Sequence, residues 1–214
     1  MIDTTKVSTL IFDLGNVIIP LKDERHWWEE VFKAPFSDKV AIDALRKSGF
    51  FARYEAGQIN DDAFLGELEQ YLLPDRNRED IVQGWLALLG DLPEKRIKEL
   101  RKLSERFRLL LLSNTNEIHL DYISRRAEAQ FGSFVLDEVF GYCYYSHRIR
   151  LAKPDVAIYE YVLAQERLSA GEVIFLDDKP DNLDGAVKAG IIPLHISPSS
   201  EFADILRSEA GIVT

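Results

Sequence analysis

Four short stretches of this chain carry residue types suited to handling phosphate: Asp13, the pair Ser113-Asn114, Lys153, and the pair Asp177-Asp178. Three carboxylates brought together with little solvent repel one another, and they take up protons unless a cation is present. Hard oxygen ligands of this kind suit Mg²⁺, which keeps several waters and shares its shell with substrate phosphate. A metal there neutralises phosphate charge and orients it. One oxygen of Asp13 can hold the metal while the other attacks phosphorus as a nucleophile. The Ser113 hydroxyl can hydrogen-bond a phosphoryl oxygen, and Lys153 can offset charge on nucleophile and phosphate alike. Phosphoryl transfer needs mainly this positioning and charge stabilisation.

The pattern of elements brings these residues to one edge of one sheet. Val7 to Phe12 is apolar and rich in β-formers, and it runs into Asp13-Leu14-Gly15-Asn16, so it reads as a buried strand ending in a turn. Arg108 to Leu112 reads as a strand ending at Ser113-Asn114, Val139 to Cys143 as a strand, Val173 to Leu176 as a strand ending at Asp177-Asp178, and Ile191 to Ile196 as the last strand. Helices are predicted between them over Glu94–Glu105, Glu117–Ala129, Asp155–Glu166, Asn182–Ala189 and Glu201–Arg207, with Gly190 as a C′ residue. Alternation of this kind predicts an α/β fold, a doubly wound and mostly parallel sheet with helices on both faces. In such sheets ligands bind beyond the carboxyl ends of the strands. Residues from about 24 to 90 read as purely helical, over Asp38–Lys47, Asp61–Leu72 with Asn60 as N-cap, and Glu79–Leu89. This block predicts an inserted helical cap over the strand ends, so that residues 1–17 and 91–214 form the core and 18–90 the cap.

The stretches Ile11-Phe12-Asp13-Leu14-Gly15-Asn16-Val17, Leu112-Ser113-Asn114-Thr115-Asn116, Lys153-Pro154-Asp155 and Phe175-Leu176-Asp177-Asp178 with Asn182 resemble, in order and approximate spacing, the four motifs of the haloacid dehalogenase-like hydrolases. The resemblance covers nearly the whole chain and is to the type with a helical cap. The first motif is similar to that of the bacterial α-D-glucose-1-phosphate phosphatase group. The resemblance implies a Rossmann-like core, Mg²⁺ as cofactor and a phospho-aspartate intermediate on Asp13. It implies Asp13 as nucleophile and metal ligand, the Gly15 carbonyl as a further metal ligand, Ser113 and Asn114 as phosphate contacts, and Lys153 as the motif lysine. It also implies that Asp178 holds the metal directly and Asp177 through water. The substrate expected is a small phosphate ester, preferably a sugar phosphate such as an anomeric sugar-1-phosphate.

One position departs from the pattern. Most phosphatases of this family carry an aspartate two residues after the nucleophile to protonate the leaving group, and here that residue is Gly15. General acid–base help is worth about 10²–10⁴ in rate. Three explanations stand. The leaving group is good enough to depart unaided, a cap residue such as His26 or Glu55 or a water supplies the proton, or the protein is a silent phosphate-binding relative. True haloacid dehalogenases share the nucleophile and also lack the second aspartate, but the pair Asp177-Asp178 is what a metal site needs and a halide site does not.

Composition sets the bounds. A formal charge of −10 lacks the basic footprint of a nucleic-acid binder. The one cysteine, Cys143, allows no internal disulfide and no zinc cluster, and reads as a small part-buried hydrophobe. With no signal peptide visible, this favours the cytoplasm, and the apolar run Leu109–Leu112 is too short to span a bilayer. A monomer or homodimer is expected. Other candidates take blander readings. His26-Trp27-Trp28 reads as cap core rather than a sugar platform, and His119 and His147 as structural. Tyr142, Tyr144 and Tyr145 read as packing, and Asp181 as a helix-dipole residue. Arg53-Tyr54-Glu55 falls at a cap turn before Gly57 and could face the substrate, and Asn182 could brace the metal loop.

Overall fold

The computed structural model describes residues 4–22, 43–70 and 77–213. Five strands form one parallel sheet in the order β3-β2-β1-β4-β5, namely β1 (Thr9–Phe12), β2 (Arg108–Ser113), β3 (Tyr142–Tyr145), β4 (Val173–Asp177) and β5 (Ile192–His195). The three central strands are apolar on both faces because both faces are covered. Leu10, Phe12, Leu109, Leu111, Ile174 and Leu176 enter one core layer, while Ile11, Leu110, Leu112, Val173 and Phe175 enter the other. The period of two therefore sorts an unbroken apolar run such as Leu109–Leu112 into two cores. Burying each such side chain stabilises the fold by roughly 1.5–3 kcal/mol.

Helices of the segment before β2 come first in the chain: α1 (Phe50–Glu55), α2 (Asp61–Glu69) and α3 (Arg78–Ala87), with residues 43–47 also helical. The remainder of the predicted helix Asp38–Lys47, and His26-Trp27-Trp28, lie outside the described residues. The Asn60 side chain accepts from the Ala63 N–H as expected of an N-cap, and Asn77 forms a capping box with Asp80. These helices share an apolar cluster of their own, in which Phe50 and Tyr54 stack on Phe64 and Trp85 packs tilted against it. Where the chain enters and leaves this segment its two stretches pair, Gly90 N–H donating to Pro20 O (2.9 Å) and Lys22 N–H to Leu88 O (2.9 Å). A β-carbon at Gly90 would lie 2.6 Å from Pro20 O, so this neck has room only for glycine.

On one face of the sheet lie α4 (Glu94–Ser104), α5 (Glu117–Phe131), α6 (Val135–Val139) and α10 (Phe202–Ala210); on the other lie α8 (Val156–Glu166) and α9 (Pro180–Lys188). A short turn, α7 (Ser146–Ile149), follows β3. The third strand corrects the sequence-based expectation. Val139 ends a helix, and the strand starts at Tyr142 rather than Val139. Val135, Leu136, Val139 and Phe140 recur at helical spacing and all bury in one core layer, and Gly141 then donates to Leu109 O to start the ladder. Among the described residues no helix is long and apolar enough to cross a membrane.

Candidate active site

The strand order reverses between β1 and β4, the position where a doubly wound sheet opens a crevice at its carboxyl edge. Asp13 follows β1 there and Asp177 ends β4. Lys153 arrives from the loop before α8 and joins them, its Nζ 2.8 Å from Asp13 Oδ1 and 2.7 Å from Asp177 Oδ2. The lysine side chain is only 1% exposed, so the triad sits in low dielectric. Burial raises the Asp13 carboxyl to about 6, with Lys153 pulling it back and Asp177 pushing it further. Burial draws the Lys153 ammonium down, and the Asp13 and Asp177 charges more than offset this, so it stays charged.

The two aspartates at the end of β4 sit in different surroundings. Asp177 is fully buried, and its oxygens accept from Lys153 Nζ, from Asn182 Nδ2 (3.0 Å to each) and from the Lys179 N–H (2.8 Å). Asn182 therefore braces this loop, as the sequence allowed, and is itself held by Tyr159 OH donating to its carbonyl at 2.6 Å. Asp178 lines the open cavity, with Asn16 Nδ2 donating to its Oδ2 at 2.8 Å. Oxygens of Asp13, Asp177 and Asp178 lie within 4.8 Å of one another. Three carboxylates face one ammonium, a deficit of two charges that a divalent cation would balance. The donor set, oxygen only, fits a hard ion such as Mg²⁺.

The remaining predicted residues border the same cavity of about 530 Å³, which Asp13, Gly15, Ser113, Asn114, Lys153 and Asp178 all line. Ser113 is the buried last residue of β2. Asn114 is tied to the lysine loop. Its Nδ2 donates to Lys153 O (2.8 Å) and its Oδ1 accepts from the Lys153 N–H (2.9 Å). The Gly15 carbonyl accepts from the Val17 N–H in the tight turn after β1.

Sequence reasoning missed several supports. Asn16 adopts φ +59 and bonds both Asp178 and the Leu21 N–H, and asparagine is among the few residues that tolerate this conformation, so its place beside Gly15 was the available signal. Arg96 is buried and donates to the Asn16 and Ile18 carbonyls (3.4 Å each) and to Glu201, bracing the turn from α4; nothing local marks it. His119 proves structural but borders the cavity, its ring stacked on Trp85 at 4.9 Å and its Nε2 donating to Trp85 O at 2.9 Å in the matching tautomer. His147 pairs with Glu117, and Asp181 sits exposed in the first turn of α9. Burial pushes the Cys143 thiol up to about 12, which fits an inert side chain.

This chain has relatives of known name. It is 23% identical over 181 residues to a D-ribitol-5-phosphate phosphatase of Bacteroides thetaiotaomicron, covering 83% of this chain and 85% of that protein. It is 27% identical over 209 residues to a sesquiterpene phosphatase of Aspergillus oryzae, covering 97% and 98%. A HAD family enzyme of Bacteroides thetaiotaomicron, solved in complex with magnesium and inorganic phosphate, superposes with a TM-score of 0.83 at 27% identity over 94% of this chain and 100% of that one. The family model of the haloacid dehalogenase-like hydrolases matches residues 7–190, and the chain belongs to that family.

Proposed function

We propose that this protein is a Mg²⁺-dependent phosphomonoester hydrolase that works through a phospho-aspartate on Asp13. The observation that carries the reading is the group of Asp13, Asp177 and Asp178 around one buried lysine at the sheet's switch point. Asp13, the Gly15 carbonyl and Asp178 would hold Mg²⁺, with Asp177 in the outer position because three donors already engage its two oxygens. The bound ion would neutralise phosphate charge. Lys153 and Ser113 steady the phosphoryl oxygens, and Asn114 contacts phosphate while fixing the Lys153 main chain. Asp13 attacks phosphorus, the ester oxygen leaves, and water then releases phosphate from Asp13. Residues 1–17 and 91–214 act as the core and 18–90 as a helical cap, a division supported by the separate apolar cluster of α1–α3 and by the paired neck at Pro20 and Gly90.

The substrate proposed first is a small phosphorylated metabolite of the sugar type, an anomeric sugar-1-phosphate included, since its leaving oxygen departs more easily past Gly15. The relative named for ribitol-5-phosphate supports the sugar class. A second reading has a hydrocarbon leaving group. Among the described residues, the 18–90 segment presents Leu21, Trp85, Leu88 and Leu89 to the cavity, with Glu55 as its one charged residue. The relative named a sesquiterpene phosphatase fits that wall.

Phosphate release from a panel of sugar-1-phosphates, polyol phosphates and isoprenoid alkyl phosphates, with and without Mg²⁺, separates these readings. Magnesium-dependent turnover lost in Asp13→Asn is expected. Folded protein that binds Mg²⁺ but turns over no member would make this a phosphate-binding protein instead.

A further inference from the structure

The turn after Asp13 holds one residue in an uncommon backbone conformation. Asn16 has φ +59, a left-handed geometry that few side chains adopt. Its backbone and side-chain polar atoms are all engaged. The N–H donates to Ile19 O at 2.7 Å, and the carbonyl accepts from Arg96 at 3.4 Å. The side-chain Nδ2 donates to Asp178 Oδ2 at 2.8 Å, and Oδ1 accepts from the Leu21 N–H at 3.0 Å. A sparsely populated conformation persists only where the surroundings over-determine it, and such places are often functional.

The two side-chain bonds join parts of the protein that are far apart in the chain. One reaches Asp178, 162 residues away, a member of the carboxylate cluster with Asp13 and Asp177. The other reaches Leu21 in the neck of the helical segment. Leu21 bridges Leu89, and its neighbours Pro20 and Lys22 bond Gly90 and Leu88. An amide is one planar group with a donor end and an acceptor end. Turning it over exchanges the ends and loses both bonds, so each bond holds the orientation that the other needs. The backbone of Asn16 serves the same site. A peptide group is planar, so the Asn16 N–H bond to Ile19 O also fixes the plane that bears the Gly15 carbonyl. Arg96, buried beneath the turn, donates to Ile18 O at 3.4 Å as well and anchors it to α4.

We propose that Asn16 is a positioning residue that couples the metal site to the neck of the helical segment, its amide orienting the Asp178 carboxylate with one end and tying Leu21 with the other. The inference rests on the reading of the carboxylate cluster as the Mg²⁺ site. Removing an outer hydrogen-bond partner of a metal ligand typically costs about 10–100-fold in metal affinity. An ion that fixes Asp178 also fixes the amide, and through it Leu21. By linkage, a neck that is tied down favours the ion by the same factor. Leu21 and Leu89 line the cavity beside Asp13, so occupancy of the metal site steadies the apolar wall next to the phosphate site.

The test uses the full-length protein. Asn16→Gly removes the amide, and glycine adopts φ +59 freely, so the turn can keep its backbone. Calorimetric titration with Mg²⁺ alone should give a Kd about 10–100-fold weaker than that of wild type. In turnover of 4-nitrophenyl phosphate, the Mg²⁺ concentration for half-activation should rise by the same factor, and turnover should recover as Mg²⁺ is raised. A merely structural defect would lower turnover at every Mg²⁺ concentration. In wild type, hydrogen exchange at the Leu21 and Gly90 amides should slow when Mg²⁺ is added, and in Asn16→Gly the ion should leave Gly90 exchange unchanged. An unchanged Kd in Asn16→Gly, or a loss of turnover that Mg²⁺ does not restore, would overturn the proposal. Exchange at Leu21 and Gly90 that ignores Mg²⁺ in wild type would overturn it too, and that measurement needs no variant to fold. A wild-type protein that binds no Mg²⁺ would instead overturn the reading of the cluster as a metal site.

Discussion

Lowering the pH should loosen the contact between α3 and α5 through His119. Its imidazole is buried against Trp85, and burial depresses its pKa to about 4, with the Trp85 carbonyl opposing. The unfolded imidazole takes its proton near 6.5 and the folded one only near 4. Between these values the unfolded state binds more protons, so stability present above pH 6.5 is lost as pH falls towards 4. Linkage over that window gives a loss of about 2.5 kcal/mol by pH 4.5. His119→Phe keeps the stack but not the bond to Trp85 O, a cost of about 1 kcal/mol at any pH. Urea unfolding followed by circular dichroism in EDTA should therefore show the variant less stable than wild type at pH 7.5. The order should reverse at pH 4.5, with the variant ahead by roughly 1.5 kcal/mol. A gap between the two proteins that is the same at both pH values would refute the reasoning.

Other outcomes follow from the same geometry. Lys153→Met leaves Asp13 and Asp177 buried without their counter-charge and should cost about 3–5 kcal/mol in chemical unfolding, together with turnover. Gly57→Ala forces a β-carbon against His147 O at positive φ and should lower stability by at least ~1 kcal/mol, read as a fall in Tm. Mg²⁺ should raise the Tm of wild type by binding the folded state, and Asp178→Asn should abolish that rise while Asp181→Asn retains it.

What the sequence made legible is the part with local signatures. The apolar runs ending in Asp13, Ser113 and Asp177 are strands because both sheet faces are covered, and parallel strands separated by helices must place those ends on one edge. Asn60 announces its helix as a cap. The third strand was misplaced because Val139 and Phe140 are equally apolar whether they face a core as a helical turn or as a strand, and only the ladder begun at Gly141 decides. The supports of the site were hidden for a different reason. Asn16 meets Asp178, Arg96 meets Asn16 and Ser146 meets Glu55 across large separations in sequence, and no local pattern encodes such pairs. The docking of α1 on the segments after β2 and β3 is tertiary in the same sense.

The central claim is that Asp13 carries the phosphoryl group during turnover. Rapid acid quenching of the Mg²⁺-loaded protein with 4-nitrophenyl phosphate, followed by mass spectrometry of the peptide bearing residue 13, tests it directly. The account predicts a mass increase of one phosphoryl group on Asp13, absent in Asp13→Asn and absent when EDTA removes the metal. Turnover of the ester with no phosphoryl group on Asp13 at any quench time, or with the group on another residue, would contradict it.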